Sequence, residues 1–282
     1  MALRILSWNV QHFRADGDGP SAGRIDRVID LLQQADPDIF AIMEVSGIEV
    51  FDAFTDRLPD YSFTISEGPQ SQEIMVGIRQ GLRSFVTQRS EFKRSNPNLR
   101  PGMLVTITRG GRNLPILFNH LKSSSTPEGF GLRAAMLDNA RDLAKAIRRR
   151  ATARGEAPAF MLIGDLNLMG MTLSHATGDI SAELEIARTA RFMAEQGLRP
   201  LTKSHPTTWS GGTGSSYPDS DLDHVLAFRE MTIRPQPSGH EVRVAGWAEL
   251  TGQARQDWLI IHSDHAPLIV DVEGFQGAET ES

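Results

Sequence analysis

The chain has 282 residues, of which 40% are hydrophobic and 23% charged, a balance that is typical of a folded globular protein and argues against disorder. It contains no cysteine, which excludes disulfides and thiolate metal sites, and no apolar run approaches the roughly 18 residues that a membrane span needs. The net charge of −6 argues against tight non-specific binding of nucleic acid, but it leaves room for an enzyme that contacts a few phosphates.

Hydrophobic periodicity predicts a mixed α/β pattern. In chain order it predicts a strand at 3–10, a helix at 22–35, a strand at 39–45, a helix at 48–58, strands at 61–66, 72–79, 83–88, 103–109 and 114–121, a helix at 131–151, a strand at 159–164, a helix at 181–196, and strands at 222–228, 231–234, 241–244 and 267–272. The Gly- and Ser-rich residues 210–220 indicate a loop. We expect one domain over 1–274 and a frayed tail over 275–282. The opening MALRILSWNV lacks the features of a secretory signal, so we expect a cytoplasmic protein.

Six apolar runs each carry acidic, amide or imidazole side chains at or near one end. These side chains are Asn9, Glu44, His120, Asp165, Asn167, Asp223, His224, Asp264 and His265. Each one alone is typical of a turn, a helix cap or a satisfied core position. Together they predict a shared cleft, in which several carboxylates repel one another unless a cation or a proton lies between them. Such oxygen ligands suit Mg²⁺ or Mn²⁺, and histidines beside them suit acid–base or phosphate-binding roles.

Six motifs in a fixed order carry a family resemblance. They are SWNVQ, the strand ending at Glu44, FNHLKS, GDLN, LDHVL and SDHAP. In this order they resemble the endonuclease/exonuclease/phosphatase superfamily, which includes deoxyribonucleases of the pancreatic type, AP endonucleases, neutral sphingomyelinases and inositol-polyphosphate 5-phosphatases. The resemblance implies a four-layer α/β sandwich, with two mixed, mainly antiparallel sheets packed face to face and helices outside. It also implies metal-dependent attack of water on a phosphate ester.

The resemblance implies metal ligands and water-positioning groups. Asn9 and Glu44 match the first metal-binding motifs, with Glu44 the principal ligand, and Asp264 matches a second carboxylate on the metal side. Asp165 and Asn167 match the pair that orients the attacking water and a phosphate oxygen. The implied metal is Mg²⁺, or Mn²⁺ in its place. An ionised Asp165 can act as the base, and an amide can both donate and accept, which suits positioning.

The resemblance also assigns the histidines. His265 matches the histidine that contacts the scissile phosphate, and Asp223 matches its carboxylate partner. His120 matches the general acid or phosphate binder of the deoxyribonuclease and sphingomyelinase branches, with Glu73 as a looser match for its partner. A buried carboxylate beside His265 would raise its pKa and keep it cationic near neutral pH. That charge would offset the negative charge developing at phosphorus.

The branch of the family depends on departures from its motifs. Gln11 stands where AP endonucleases usually carry an aspartate, and the FNHLKSSS segment, with His120 and Lys122, replaces their tyrosine-bearing loop. Ser220 or its neighbours stand where those enzymes line the abasic pocket with an aromatic residue. Trp209 matches a family position, although a core role fits it as well. A general nuclease or phosphodiesterase is therefore favoured over a dedicated AP endonuclease.

Substrate contacts are predicted at three basic residues. Lys122 and Arg133 flank the His120 loop, and Arg100 matches a family arginine loosely. The basic run over 141–154 is more typical of a solvated helix face. The loop 210–220 offers no apolar hairpin, so we expect no membrane docking.

Three functions remain open from the sequence. The first is a Mg²⁺-dependent nuclease with nucleic acid as substrate, and the second is a phosphatase or phosphodiesterase for a small or lipid phosphate. The third is an inactive binding module, which is disfavoured because every motif residue is present. We expect a monomer without an obligate protein partner. A nuclease needs an open, locally basic track, and a small-phosphate enzyme needs a closed basic pocket.

Overall fold

The structure is a computed structural model that describes residues 2–15, 17, 22–66, 73–89, 101–174 and 178–275. Its helices are α1 (Arg24–Ala35), α2 (Ile48–Arg57), α3 (Pro127–Ala153), α4 (Ala182–Ala194) and α5 (Gly252–Ile261), with a 3₁₀ turn at Gly246–Glu249. Its strands are β1 (Leu3–Phe13), β2 (Ile39–Val45), β3 (Tyr61–Ile65), β4 (Glu73–Arg79), β5 (Ser84–Arg89), β6 (Gly102–Arg109), β7 (Arg112–His120), β8 (Met161–Asp165), β9 (Leu198–Pro200), β10 (Asp223–Phe228), β11 (Ile233–Arg234), β12 (Val242–Val244) and β13 (Leu268–Val272). Within these residues, no helix is both long and apolar enough to span a bilayer.

The strands form two mixed sheets. The first runs in the order β11-β13-β1-β2-β4-β3, with β12 also paired to β13, and the second in the order β5-β6-β7-β8-β10-β9. The neighbours β1 and β2 are parallel, as are β7 and β8, and the other recorded strand pairs are antiparallel. The predicted α/β sandwich of two mainly antiparallel sheets is confirmed.

Helices cover the outer face of each sheet. The rings of Phe13 in β1 and Phe54 in α2 have centroids 6.0 Å apart, and those of Trp8 in β1 and Trp258 in α5 are 5.8 Å apart. On the second sheet, the Arg148 guanidinium of α3 lies 4.4 Å from the ring centroid of Phe228 in β10. The central strands β2 and β8 are therefore buried on both faces, which explains their nearly continuous apolar sequences.

The predicted elements differ from the observed ones in three places. Helix α3 begins at Pro127, earlier than expected, because Thr126 accepts a hydrogen bond from the Gly129 N–H and proline fits the first helical turn. Helix α5 was not predicted, because a four-residue apolar run does not distinguish a helix from a strand. The short strand β9 was also missed.

The expected frayed tail over 275–282 lies outside the described residues except for Phe275, and it remains a prediction. Phe275 is buried, and the Arg112 guanidinium lies 5.0 Å from its ring centroid. Residues 276–282 lie outside the described residues, and the single-domain division remains a prediction.

Close contact between strands places the polar groups of the two sheets at one edge. Gly164 in β8 has a φ of 142°, and a Cβ there would lie 2.0 Å from the Asn119 carbonyl and 2.7 Å from Met43 Cε. Only glycine therefore allows β8 to approach both β7 and the facing sheet. The carboxyl ends of the parallel pairs β1/β2 and β7/β8 consequently meet at the same edge.

Candidate active site

Strand register lines up three of the predicted residues. His120 in β7 pairs with Asp165 in β8, and Asp165 pairs on its other side with Asp223 in β10. All three residues are at most 3% exposed. Because successive residues of a strand point to opposite faces, equal register puts these three side chains in one row across the second sheet.

Asn9 joins this row to the first sheet. Its side-chain amide donates to Asp165 Oδ2 at 2.9 Å and to Glu44 Oε1 at 3.2 Å, and its oxygen accepts from the Gln11 N–H at 2.9 Å. Asn9 therefore holds the two carboxylates side by side. Its role as a metal ligand stays a prediction, because the amide nitrogen and not the oxygen faces the two carboxylates. Asn9 also lies within β1, and not at its end as expected.

The backbone around Glu44 is strained. Glu44, Gln11 and His12 have φ angles of 65°, 43° and 49°, at irregularities where β1 and β2 shift register. Such angles are costly for residues other than glycine and cluster at functional sites. The distortion brings the His12 N–H to 2.7 Å and His12 Nδ1 to 3.2 Å from Glu44 Oε2. The sequence did not single out His12, although it follows the SWNVQ motif directly.

Asp165 and Asn167 occupy a tight turn after β8. Asn167 has a φ of 49°, its N–H donates to Asp165 Oδ1 at 3.0 Å, and its amide donates to the Leu121 carbonyl at 3.2 Å. These bonds fix both side chains in the cleft. They leave Asp165 Oδ2 facing Asn9 and two histidines, with His120 Nε2 at 3.5 Å and His265 Nε2 at 3.9 Å.

His265 and Asp223 form a buried pair. His265 Nδ1 lies 2.8 Å from Asp223 Oδ2, and the His265 carbonyl accepts from Trp8 Nε1 at 2.9 Å. Burial alone would lower the pKa of His265, but the carboxylates of Asp223 and Asp165 raise it to about 10. His265 is therefore cationic at neutral pH and presents its Nε2–H towards Asp165 and the cleft.

Burial has the opposite effect on Asp165. It raises the pKa of Asp165 to about 7, with the Asp223 and Glu44 carboxylates adding to the rise and the His265 charge opposing it. The cleft therefore holds more carboxylate than its own side chains neutralise. A group with a pKa near neutrality is well suited to accept a proton from water.

The donor set fits a hard divalent cation. Glu44 Oε1 and Asp165 Oδ2 both lie beside the Asn9 amide, and both lie within 3.6 Å of His120 Nε2. Carboxylate oxygens in such a cluster suit Mg²⁺ or Mn²⁺. Asp165, Asp223 and His265 also offer ligand atoms within 4.8 Å of one another. The Glu44 and Asp165 carboxylates and this group of three are therefore two candidate sites for a cation.

The structure contradicts one predicted substrate contact. Arg133 is fully buried, and its guanidinium donates twice to Glu185 at 2.9 Å and once to the Gly170 carbonyl at 2.8 Å. It also donates to the backbone carbonyls of Lys122 and Ser124. These five bonds leave Arg133 no face for a substrate, so its role is to hold the loops beside the cleft.

The other predicted residues vary in their distance from the cleft. Asp264 Oδ2 accepts from Trp209 Nε1 at 2.8 Å, and Glu73 accepts from Ser66 Oγ at 2.5 Å. Lys122 is half-buried, and Arg100 lies outside the described residues. The metal role of Asp264, the partnership of Glu73 with His120 and the substrate contacts of Lys122 and Arg100 remain predictions. His224 faces away from the cleft row, with Nε2 3.0 Å from the Asp221 carbonyl, and burial lowers its pKa well below the usual value.

A cleft of about 480 Å³ opens over these groups. It is lined by Asn9, Glu44, His120, Ser123, Ser124, Ser125, Asp165, Asn167, Met169, Trp209, Tyr217, Ser220, Leu222 and His265. The sequence did not single out Tyr217, Met169 or the serines at 123–125, because nothing in their local pattern separates a cleft wall from an ordinary loop. Lys203 was also missed. It lies behind the cleft, bonded to Asp221 and to the Asp223 carbonyl.

Comparison with known proteins identifies the family. The sequence model described as "Endonuclease/Exonuclease/phosphatase family" matches residues 6–265. The chain therefore belongs to this family of phosphate-ester hydrolases, whose members are generally dependent on a divalent metal. The predicted family is thus confirmed. Among curated proteins, no sequence matched significantly.

Solved structures share the fold at low sequence identity. Truncated TDP2 from Caenorhabditis elegans is 14% identical with a TM-score of 0.64, over 96% of this chain and 97% of that one. TDP2 from D. rerio, complexed with a single-strand DNA product, is 17% identical with a TM-score of 0.61, and the match covers 96% of this chain and 99% of that one. A mannosyl-6-phosphatase from Bacteroides thetaiotaomicron is 15% identical with a TM-score of 0.59, and the match covers 97% of this chain and 100% of that one.

Proposed function

We propose that this chain is a Mg²⁺-dependent phosphodiesterase that cleaves nucleic-acid strands by attack of water on phosphorus. The observation that carries the proposal is the convergence of Asp165 with two histidines. Asp165 Oδ2 lies 3.5 Å from His120 Nε2 and 3.9 Å from His265 Nε2, in a cleft that also holds Glu44. A base and two imidazoles around one small volume suit a phosphate with water on one side and a leaving group on the other.

In this mechanism Asp165 accepts the proton of the attacking water. Its Oδ1 accepts from the Asn167 N–H and its Oδ2 from the Asn9 amide, and Oδ2 is the oxygen that also faces the two histidines, so we assign the proton to Oδ2. Asn167 keeps a side-chain oxygen free to orient the water or a phosphate oxygen, because its amide nitrogen is already bonded to the Leu121 carbonyl. Both groups stand on a rigid, buried strand end, so little reorganisation is needed during the reaction.

The histidines provide positive charge and a proton. His265 is held cationic by Asp223, so its Nε2–H can donate to a non-bridging phosphate oxygen as negative charge develops. His120 lies between Glu44 and Asp165 and is placed to donate to the phosphate or to the leaving oxygen. Glu44 would be the principal ligand of a divalent cation, which when bound would polarise the phosphate and favour deprotonation of water.

The cleft chemistry favours a diester over a polyphosphate. Among the described residues that line the cleft, none is lysine or arginine. An inositol polyphosphate needs a dense basic pocket, which these walls do not offer. A single phosphodiester carries one negative charge, for which His265 and one cation suffice. The D. rerio TDP2 complex with a single-strand DNA product adds support for nucleic acid as the substrate.

A substrate panel tests the proposal. The purified protein is incubated with single-stranded DNA, RNA, plasmid, bis-p-nitrophenyl phosphate, p-nitrophenyl phosphate, mannose 6-phosphate and inositol phosphates, each with Mg²⁺, Mn²⁺ or EDTA. We expect the protein to cleave diesters, and EDTA to abolish this cleavage. The cleavage rate should fall by a factor of about 10²–10⁴ in Asp165→Asn and His265→Gln. Asp56→Asn, at an exposed carboxylate on α2, is the matched control. Hydrolysis of monoesters alone would contradict the proposal and favour the small-phosphate alternative.

A further inference from the structure

The loop over residues 210–220 is tied firmly to helix α5. The Arg255 guanidinium donates to Ser210 Oγ at 3.0 Å and to Asp219 Oδ2 at 2.5 Å. The Thr213 N–H donates to Gln256 Oε1 at 3.0 Å. A Gly- and Ser-rich sequence favours a flexible loop, but these bonds fix both its start and its end. The residues of this loop that line the cleft, Tyr217 and Ser220, therefore have a fixed backbone position.

Tyr217 is the residue that this loop presents. It is one of the residues that line the cleft, and it is 74% exposed. Its backbone is fixed by Ser215, whose Oγ accepts from the Tyr217 N–H at 3.0 Å and donates to the Tyr217 carbonyl at 3.1 Å. The described residues include four other exposed large apolar side chains, and none of them lines the cleft. They are Ile48, Phe85, Leu184 and Ile260.

The other residues that line the cleft limit the class of ligand group that can lie against Tyr217. Beyond the catalytic groups, the described lining consists of apolar side chains (Met169, Trp209, Leu222) and serine hydroxyls. It adds no amide, carboxylate or guanidinium group of the kind that usually binds sugar hydroxyls or further phosphates. A flat, uncharged aromatic group next to the phosphate fits such a wall best, because it can stack without needing polar partners.

We propose that Tyr217 is a stacking platform for an unpaired nucleobase that adjoins the scissile phosphate. This inference rests on the proposed function and narrows it to single-stranded or unpaired substrates. A base within a duplex has both faces covered by its neighbours, so it cannot use the platform without leaving the stack. Stacking on an aromatic side chain is tolerant of sequence and would add affinity where the described lining of the cleft has no lysine or arginine.

The test uses dinucleotides with one phosphodiester each. Thymidylyl-thymidine is compared with two analogues that lack the base on the 5′ or the 3′ side, for wild type, Tyr217→Ala and Tyr217→Phe with Mg²⁺. We expect Tyr217→Ala to raise KM for the full dinucleotide by about 5- to 100-fold with little change in kcat, and Tyr217→Phe to restore it. One of the two base-lacking analogues should show the raised KM already in wild type and no further rise in Tyr217→Ala. Phe85→Ala, an exposed ring on the outer strand β5, is the matched control and should leave all parameters unchanged.

The outcomes separate this inference from the proposed function. If wild type cleaves the dinucleotide and Tyr217→Ala leaves KM unchanged, or raises it equally for every analogue, the platform is contradicted and the hydrolase stands. If wild type cleaves no phosphodiester, the proposed function fails. Equilibrium binding of oligothymidylate to wild type and Tyr217→Ala then decides the platform alone, and equal dissociation constants would contradict it.

Discussion

At the scale of single residues, Asp165 combines a proposed catalytic role with a cost to stability. It is 1% exposed, near the Glu44 and Asp223 carboxylates, and burial raises its pKa to about 7. A raised carboxyl pKa means that folding favours the protonated form. The folded state therefore loses stability as pH rises from the unfolded value of 3.8 to about 7, where the full cost is present.

Replacing Asp165 with asparagine should reveal this cost. In the presence of EDTA, Asp165→Asn should stabilise the protein by on the order of 2 kcal/mol at pH 8 and by less at pH 5, while activity is lost. Urea denaturation at the two pH values measures the difference. Asp56→Asn should show no gain at either pH. A variant that is destabilised equally at both pH values would contradict the assigned pKa shift.

The pair of His265 and Asp223 should also lose stability as pH rises, but over a higher pH range than Asp165. The raised pKa of His265 gives stability that is fully present below its ordinary value of 6.5 and is lost as pH rises through about 10. Asp223→Asn, measured without metal, should therefore cost about 3 kcal/mol near pH 6 and less above pH 10. In NMR titrations the His265 midpoint should fall by more than one pH unit in this variant. An unchanged midpoint would show that Asp223 does not hold the proton.

At the scale of elements, the β7–β8–β10 register builds the row, and the α3–α4 pair holds the loops beside it. Arg133 in α3 and Glu185 in α4 are both buried, and the Gly170 N–H also donates to Glu185 at 2.6 Å. The pair thereby connects two helices with the loops that follow β7 and β8. Removing one partner of a buried pair leaves an uncompensated charge, which costs more than removing both.

Arg133→Met should therefore destabilise the protein strongly. We expect a loss of about 3 to 5 kcal/mol in urea denaturation, and a smaller loss in the double variant Arg133→Met/Glu185→Leu. Arg141→Met is the matched control on the same helix. The ion pairs of Arg141 to Asp138 and Glu195 are 3.5 and 3.6 Å long and partly exposed, so this variant should lose at most about 1 kcal/mol of stability. Equal losses in Arg133→Met and Arg141→Met would contradict a stabilising role for the buried Arg133–Glu185 pair.

Elements also show what the sequence can and cannot predict. Buried strands such as β2 and β8 were predictable because their apolar runs end in short polar motifs at Glu44 and Asp165. The role of Arg133 was not predictable from the sequence, because an arginine that follows the His120 loop has the same local pattern whether it faces solvent or Glu185. Tyr217 was missed because its position depends on side-chain bonds between the loop and α5, which have no local pattern.

At the scale of the whole molecule, two sheets supply one site between them. Glu44 comes from the first sheet and Asp165 from the second, and Asn9 bonds to both. The cleft exists only when the sheets are packed face to face, so neither sheet alone could hold the cation or position the water. The chain is acidic overall, and the described cleft walls add no basic residue. If the proposed cation, His265 and stacking carry the affinity for a strand, the dissociation constant should rise little with added salt in binding measurements.

The most direct test of the central claim is the Mg²⁺ dependence of dinucleotide cleavage in wild type and Glu44→Gln. If Glu44 holds the cation, wild type should show saturable activation that EDTA reverses, and Glu44→Gln should need at least tenfold more Mg²⁺ and reach a lower maximal rate. Cleavage that persists in EDTA, or a Glu44→Gln variant with the wild-type Mg²⁺ midpoint and rate, would contradict a metal-dependent phosphodiesterase built around Glu44 and Asp165.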